Sequence, residues 1–161
     1  MSSPVSVQRE NDVAVILVDN PPVNALKHAV RLGILEAMRA TAADASVRAI
    51  VLSARGRTFM AGADISEFGK PLQSPSLPEV IAFMEDVQKP IVAAVFGTPL
   101  GGGLEITFGC HFRVAAPGTK LGLPEINYGV ISRESSASPA TGFSKIHAQE
   151  QAEIIETAFS I

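Results

Sequence analysis

The sequence predicts an α/β fold, and three observations carry that reading. Continuous apolar, largely β-branched runs recur at residues 13–18 (VAVILV), 48–53 (RAIVLS) and 91–96 (IVAAVF). A turn or loop signal follows each run. Between the runs the apolar spacing switches to helical periodicity. Strands buried on both faces of a parallel sheet read this way, and strand–helix–strand order implies right-handed crossovers between neighbouring strands. At roughly 100 to 200 residues per domain, the 161 residues make a single domain.

The elements follow in order. The first strand, residues 13–18, is broken by Asp19-Asn20-Pro21-Pro22. Leu26, Val30, Ile34 and Met38 then recur every fourth residue, an apolar stripe that predicts a helix over 25–45. The second strand is 48–53. In Ala61-Gly62-Ala63-Asp64-Ile65-Ser66-Glu67 a capping Asp stands three residues before a Glu, the start of a short helix. Residues 69–78, rich in Pro and Ser, read as a surface loop. A short helix over 78–87 is stopped by Lys89-Pro90, and the third strand follows at 91–96. The segment from Gly97 to Gly103 turns into another short helix, and 112–116 is a fourth strand. After Ile131 the character changes. Residues 132–140 (SRESSASPA) are a low-complexity polar stretch, and only Ile146, Ile154, Ile155 and Phe159 offer apolar side chains to a last helix.

Composition excludes several classes. With 13 Lys+Arg against 16 Asp+Glu and 47% hydrophobic residues, the chain is too apolar and too weakly charged for a disordered protein. It lacks the basic footprint of a nucleic-acid binder, so no nucleic-acid partner is expected. Residues 1–12 (MSSPVSVQREND) lack the basic start and apolar stretch of a signal peptide, and no apolar run approaches the roughly 18 residues of a membrane span. No membrane association is expected. One cysteine, Cys110, forms no internal disulfide and no Cys-built zinc site. A cytosolic or matrix location fits, and we expect the cytoplasm.

The glycine run Gly101-Gly102-Gly103 invites three functional readings, and two fail on spacing. A P-loop beginning at Gly97 needs Lys and Ser or Thr where Gly103 and Leu104 stand. A dinucleotide GxGxxG beginning at Gly101 needs glycine at Ile106. The third reading lets a ligand approach bare backbone N–H groups between a buried strand and a helix. Its bland counterpart is a tight turn with positive φ. Glu105 follows the run as a carboxylate partly buried beside whatever the glycines bind, or as an ordinary acidic residue near a helix N-terminus. Glu125, after Leu121-Gly122-Leu123-Pro124, is a second carboxylate whose bland reading is a solvated loop residue. The segment Phe59-Met60-Ala61-Gly62-Ala63-Asp64 repeats the design of the glycine run, with small residues before a helix start. Two such turns can aim N–H groups at one point, which is the construction of an oxyanion hole.

Other candidates are weaker. Cys110 and His111 are sequence neighbours, so on a strand they face opposite ways and form no nucleophile–base pair. His28, His111 and His147 are far apart, and no metal site is expected. Lys27 and His28 lie near a ligand mouth or simply at a solvated helix start.

Taken together, four motifs resemble the crotonase (enoyl-CoA hydratase/isomerase) family. They are Asp19-Asn20-Pro21-Pro22-Val23-Asn24-Ala25-Leu26, Ala61-Gly62-Ala63-Asp64-Ile65, Gly97 with Leu100-Gly101-Gly102-Gly103-Leu104-Glu105, and Leu121-Gly122-Leu123-Pro124-Glu125. The first of these and the stretch from His111 to Gly118 look most like the hydratase/isomerase module that opens the bifunctional fatty-acid oxidation enzymes. The resemblance covers residues 5–131. It implies a spiral of ββα units and a coenzyme A thioester substrate, with no cofactor beyond the coenzyme A that the substrate carries. It also implies backbone N–H groups of Ala63 and Gly102 as the oxyanion hole, Glu105 and Glu125 as catalytic carboxylates, and Ala61, Gly62, Asp64, Gly101 and Gly103 around the substrate.

The sequence departs from the family after Gly129-Val130-Ile131, where Ser132-Arg133-Glu134-Ser135-Ser136 stands in place of a further glycine-rich turn. We therefore expect a crotonase-like core over 1–131, truncated at its C-terminal side, and an atypical tail over 132–161. A family-type homo-oligomer would lack the helices that make subunit contacts. We expect the tail to be poorly ordered or the product of a shifted reading frame: codons for Gly142-Phe143-Ser144-Lys145-Ile146-His147 read one base along permit Gly-Phe-Gln-Lys-Ser-Met, which looks more like family sequence. Two functions follow: hydration or isomerisation of enoyl-CoA thioesters, or a non-catalytic fragment that keeps the motifs and only binds a ligand or partner.

Overall fold

The structure is a computed structural model that describes residues 3–123 apart from Phe68 and Lys70. Five strands form one sheet in the order β1-β2-β3-β4-β5. These are β1 (Val5–Glu10), β2 (Val13–Val18), β3 (Ala49–Ala54), β4 (Ile91–Val95) and β5 (Phe112–Ala115). The first pair is antiparallel and the other three are parallel. The architecture is the mixed α/β class the sequence predicts.

The apolar runs become β2, β3 and β4, and every residue of the three is buried. Alternate residues serve opposite faces. Ala14, Ile16, Val18, Ile50, Leu52, Ala93 and Val95 meet the helices, while Val13, Val15, Leu17, Ala49, Val51, Val92 and Ala94 pack on the other side. β5 alternates partly buried with exposed positions instead, as an edge strand with one solvated face does.

The predicted elements differ from the observed ones at three places. β1 escaped the sequence reading because its alternation, Val5-Ser6-Val7-Gln8, is short and only Val5 is buried while Ser6 to Glu10 are exposed. The first helix, α1, spans His28–Ala43 rather than starting at residue 25. Leu26 donates its N–H to the Gly62 carbonyl at 2.9 Å instead of entering the helix. Its side chain still joins Val30, Ile34 and Met38 in the core, so the stripe holds where the backbone does not. Third, the Asp64–Glu67 pair makes only half a cap. Asp64 Oδ1 accepts from Ser66 N at 2.9 Å, but Glu67 turns to Arg31 and His28, and the element is a single 3₁₀ turn over Ile65–Glu67.

Helix α2 (Leu77–Asp86) begins with a full capping box between Ser76 and Glu79. Gly102–Glu105 forms the short α3, continued by a 3₁₀ turn over Ile106–Gly109. Cys110 and His111 precede β5 rather than lying on it. Gly33 allows the start of β1 onto α1, since a Cβ there would stand 2.8 Å from Val5 Cγ2. Glu125 and the tail after Ile131 lie outside the described residues, as do the readings that rest on them.

Candidate active site

Ligands of open parallel sheets bind beyond the carboxyl ends of the strands. Here three segments leave those ends: 19–27 after β2, 55–67 after β3 and 96–105 after β4. Their interlocking starts from Asn24, which is 3% exposed and has φ of 54°. Its Oδ1 accepts from Asn20 N at 2.8 Å, and its Nδ2 donates to Arg55 O at 2.8 Å and Thr58 O at 2.9 Å. The side-chain amide thus satisfies its buried partners on two segments at once. Ala61 N–H reaches Val23 O at 3.1 Å and Leu26 N–H reaches Gly62 O, which lays residues 60–63 along the turn after β2.

The glycines bring the third segment against that layer. Gly101 has φ of 50° and ψ of −126°, a conformation open to glycine, and starts α3. A Cβ on Gly103 would overlap the Met60 carbonyl oxygen and lie 3.1 Å from Gly62 N. Gly103 is therefore a contact of backbone on backbone. A Cβ on Gly102 would lie 3.7 Å from Ala63 N, 3.0 Å from Leu77 Cδ2 and 3.5 Å from Leu26 Cδ1. The Ala63 N–H thus stands close to Gly102, whose open side faces the ends of two leucine side chains. Among the described residues neither the Ala63 nor the Gly102 N–H donates a hydrogen bond to the protein.

Glu105 closes α3 one turn beyond Gly102 and is 7% exposed. Gly122 returns beside the glycine turn, pairing with Leu100 and accepting from Gly101 N at 3.0 Å. Of the sequence candidates, Ala61, Gly62, Ala63, Asp64, Gly101, Gly102, Gly103 and Glu105 are brought to one place. Glu125, three residues past Gly122, is not described.

A groove of about 530 Å³ opens next to this layer, lined by Lys27, Asp64, Ser66, Glu67, Pro71, Leu72 and Gln73. Lys27 therefore lines a ligand-sized groove. His28 does not: its N–H donates to Glu67 Oε1, and its Nε2 pairs with the Ser74 carbonyl at 2.9 Å. Burial alone would raise the Glu67 carboxyl. The Arg31 hydrogen bond, the His28 N–H and the guanidinium charge outweigh it and hold the group below the usual glutamate range.

Two residues set aside in the sequence stay outside the site. Burial pushes the Cys110 thiol up to about 12, against a smaller opposing effect of Arg113, so it carries no nucleophilic thiolate near neutral pH. His111 accepts from Ile91 N at 3.1 Å at the opposite end of the sheet. Sequence reasoning passed over Arg31 and Asn24 as individual residues, because their acceptors are mostly backbone carbonyls far along the chain. Among the described residues no group of three or more His, Cys, Asp or Glu side chains is placed for a metal ion, and no helix is long and apolar enough to cross a membrane.

Comparison with known proteins adds the family. Residues 8–145 match the profile of the enoyl-CoA hydratase/isomerase family. A Danio rerio protein named peroxisomal bifunctional enzyme is 43% identical over 122 residues, covering 76% of this chain and 17% of that one. A Bacillus subtilis protein named "Probable enoyl-CoA hydratase" is 41% identical over 134 residues, covering 79% of this chain and 52% of that one. A crystal structure from Geobacillus kaustophilus, described as an enoyl-CoA hydratase subunit I, superposes with a TM-score of 0.76 at 28% identity, over 98% of this chain and 74% of that one. The chain thus spans about half or less of the length of these two curated relatives.

Proposed function

The chain belongs to the enoyl-CoA hydratase/isomerase family, and from that premise we propose that it hydrates or isomerises enoyl-CoA thioesters. In this reading the Ala63 and Gly102 N–H groups bind the thioester oxygen, and Glu105 and Glu125 move the protons. The observation that carries it is the pair of backbone donors standing together, without a protein acceptor among the described residues, one turn from a buried carboxylate.

The chemistry requires such a pair. When water oxygen bonds to C3 of a conjugated thioester, the C2=C3 electron pair moves toward the carbonyl and charge develops on its oxygen. Preorganised donors at that atom lower the barrier, and one of them is typically worth about 3 to 4 kcal/mol. Side chains there would obstruct the approach, which accounts for Gly102 and the small residues 61–63. The attacking water loses a proton while C2 gains one. Two carboxylates, one charged and one protonated, accomplish both, with contributions of about 10²- to 10⁴-fold. Moving the double bond from C3 to C2 uses the same enolate and one carboxylate as shuttle. Gly122, the last glycine before Glu125 in the sequence, is hydrogen-bonded to Gly101.

The groove beside the donors suits the rest of an acyl-CoA. Asp64, Ser66, Glu67 and Gln73 supply its polar contacts, Lys27 its cation, and Pro71 and Leu72 its apolar ones. The reaction as proposed uses the substrate, water, the two backbone N–H groups and the two carboxylates, with no cofactor beyond the coenzyme A of the substrate. We assign the protein to the cytoplasm on its single buried cysteine and the expectations from composition.

The test is hydration of crotonyl-CoA by the purified chain and by Glu105→Gln. The variant is expected to lose about 10²- to 10⁴-fold in kcat. Equal rates would remove Glu105 from the mechanism. Binding of the thioester without turnover by the unmodified chain would favour the ligand-binding fragment instead.

A further inference from the structure

Arg31 sits in the first turn of α1 and is 5% exposed, so its charge is almost fully withdrawn from water. A buried guanidinium persists only where its donors are matched. Here Nη1 donates to Leu26 O at 2.7 Å and to Glu67 Oε2 at 2.8 Å, Nε donates to Pro75 O at 2.8 Å, and Nη2 reaches Gln73 O at 3.4 Å.

The four acceptors lie on three separate segments, and each segment forms a wall of the donor site. Leu26 bonds Gly62 O through its own N–H and lays its side chain over Gly102. Glu67 ends the turn that begins just after Ala63, at Asp64. Gln73 lines the groove, and Pro75 stands two residues before Leu77, whose side chain also faces Gly102. One planar fork therefore ties together the segments that surround both N–H groups. A lysine ammonium, a point charge with three donors, does not reproduce that geometry.

We propose that Arg31 is a positioning residue for the Ala63–Gly102 donor pair, holding Leu26, Glu67 and residues 73–75 so that a bound thioester oxygen meets both N–H groups. The inference rests on the reading of that pair as an oxyanion site. Oxyanion donors act at about 2.7–3.1 Å from the charged oxygen, and a misplacement of about 1 Å can cost about 10²-fold. A residue that never touches substrate thereby controls the rate.

The test uses the whole chain with an aromatic enoyl-CoA, whose conjugated carbonyl absorbs further to the red when donors polarise it, beside crotonyl-CoA hydration. In Arg31→Lys the red shift of the bound thioester is expected to fall by at least about half and kcat by about 10- to 100-fold, with KM within about threefold. Glu67→Gln leaves the carbonyl contacts in place and removes the counter-charge, and is expected to move both readouts the same way by a smaller factor. A cooperatively folded Arg31→Lys with the full red shift and kcat overturns the proposal, even if its Tm falls or its KM rises, because a merely structural role does just that. If Arg31→Lys does not fold, Glu67→Gln decides alone: an unchanged red shift and kcat overturn the proposal. Unmodified protein with neither red shift nor hydration removes the underlying function, whereas active protein with insensitive variants removes only the role of Arg31.

Discussion

At the C-terminal ends of the parallel strands the chain buries polar backbone under glycine and asparagine, whereas at the N-terminal ends it closes with solvated charges. The first end holds Asn24, whose amide bonds two backbone carbonyls, and Gly103, where an added side-chain atom meets the backbone of Met60 and Gly62. At the second end Asp12 pairs with Arg48 at 3.5 Å, both well exposed, and Lys89 Nζ reaches the carbonyls of Thr41 and Asp44 at the end of α1. Cations there complement the last carbonyls of the helix. Both ends join the same strands. The difference sets an end packed backbone on backbone against an end closed by exposed ion pairs.

That contrast breaks most visibly at Gly103. In Gly103→Ala the new methyl overlaps the Met60 carbonyl, with Gly62 N the next neighbour, so α3 must move off residues 60–62. The expected loss is about 3 kcal/mol of stability, at the upper end for overpacking, read from denaturant unfolding. A loss below about 1 kcal/mol, the lower end of that range, would mean the two backbones are not in contact.

A smaller effect is expected at His111, on the opposite end. Burial lowers its imidazole pKa below the ordinary 6.5, and its neutral Nδ1 accepts from Ile91 N. The unfolded chain takes up a proton near pH 6.5 that the folded chain accepts only at lower pH. This contribution to stability is therefore complete above about pH 6.5 and is lost as the pH falls through the folded pKa. Tm measured from pH 8 to pH 5 should show that slope, flatter in His111→Asn; identical slopes would contradict the placement of the ring.

The smallest effect belongs to Asp12→Ala, which removes an exposed ion pair and keeps the backbone bond from Arg48 N to Asp12 O. Its expected cost is below about 0.5 kcal/mol in the same unfolding measurement. A cost near that of Gly103→Ala would erase the contrast between the ends.

The same contrast explains what the sequence revealed. Strands buried on both faces and the Leu26–Met38 stripe are local patterns, legible one residue after another. The glycine turns were legible too, because glycine between a buried run and a helix has few other uses. β1 was not, since an edge strand exposed from Ser6 to Glu10 carries only two alternating apolar residues, Val5 and Val7. Nor was Arg31, whose partners stand 36 to 44 positions away except for Leu26. Asp64 and Glu67 looked like a local cap, and the stronger pairing of Glu67 with the Arg31 guanidinium overrode it. The chemistry of the site was readable where it rests on small residues and hidden where long-range hydrogen bonds hold it.

The central claim is that the backbone N–H of Gly102 stabilises charge on a thioester oxygen. Gly102 is the first residue of α3, a position where proline is tolerated, so Gly102→Pro removes the donor with little cost to the helix. Gly102→Ala adds the same Cβ that proline carries, 3.0 Å from Leu77 Cδ2, 3.5 Å from Leu26 Cδ1 and 3.7 Å from Ala63 N, but keeps the N–H, so crowding is common to both variants and the donor alone distinguishes them. In crotonyl-CoA hydration the proline variant is expected to fall about 10²- to 10³-fold in kcat, well below the alanine variant. Two folded variants with equal kcat would contradict the claim.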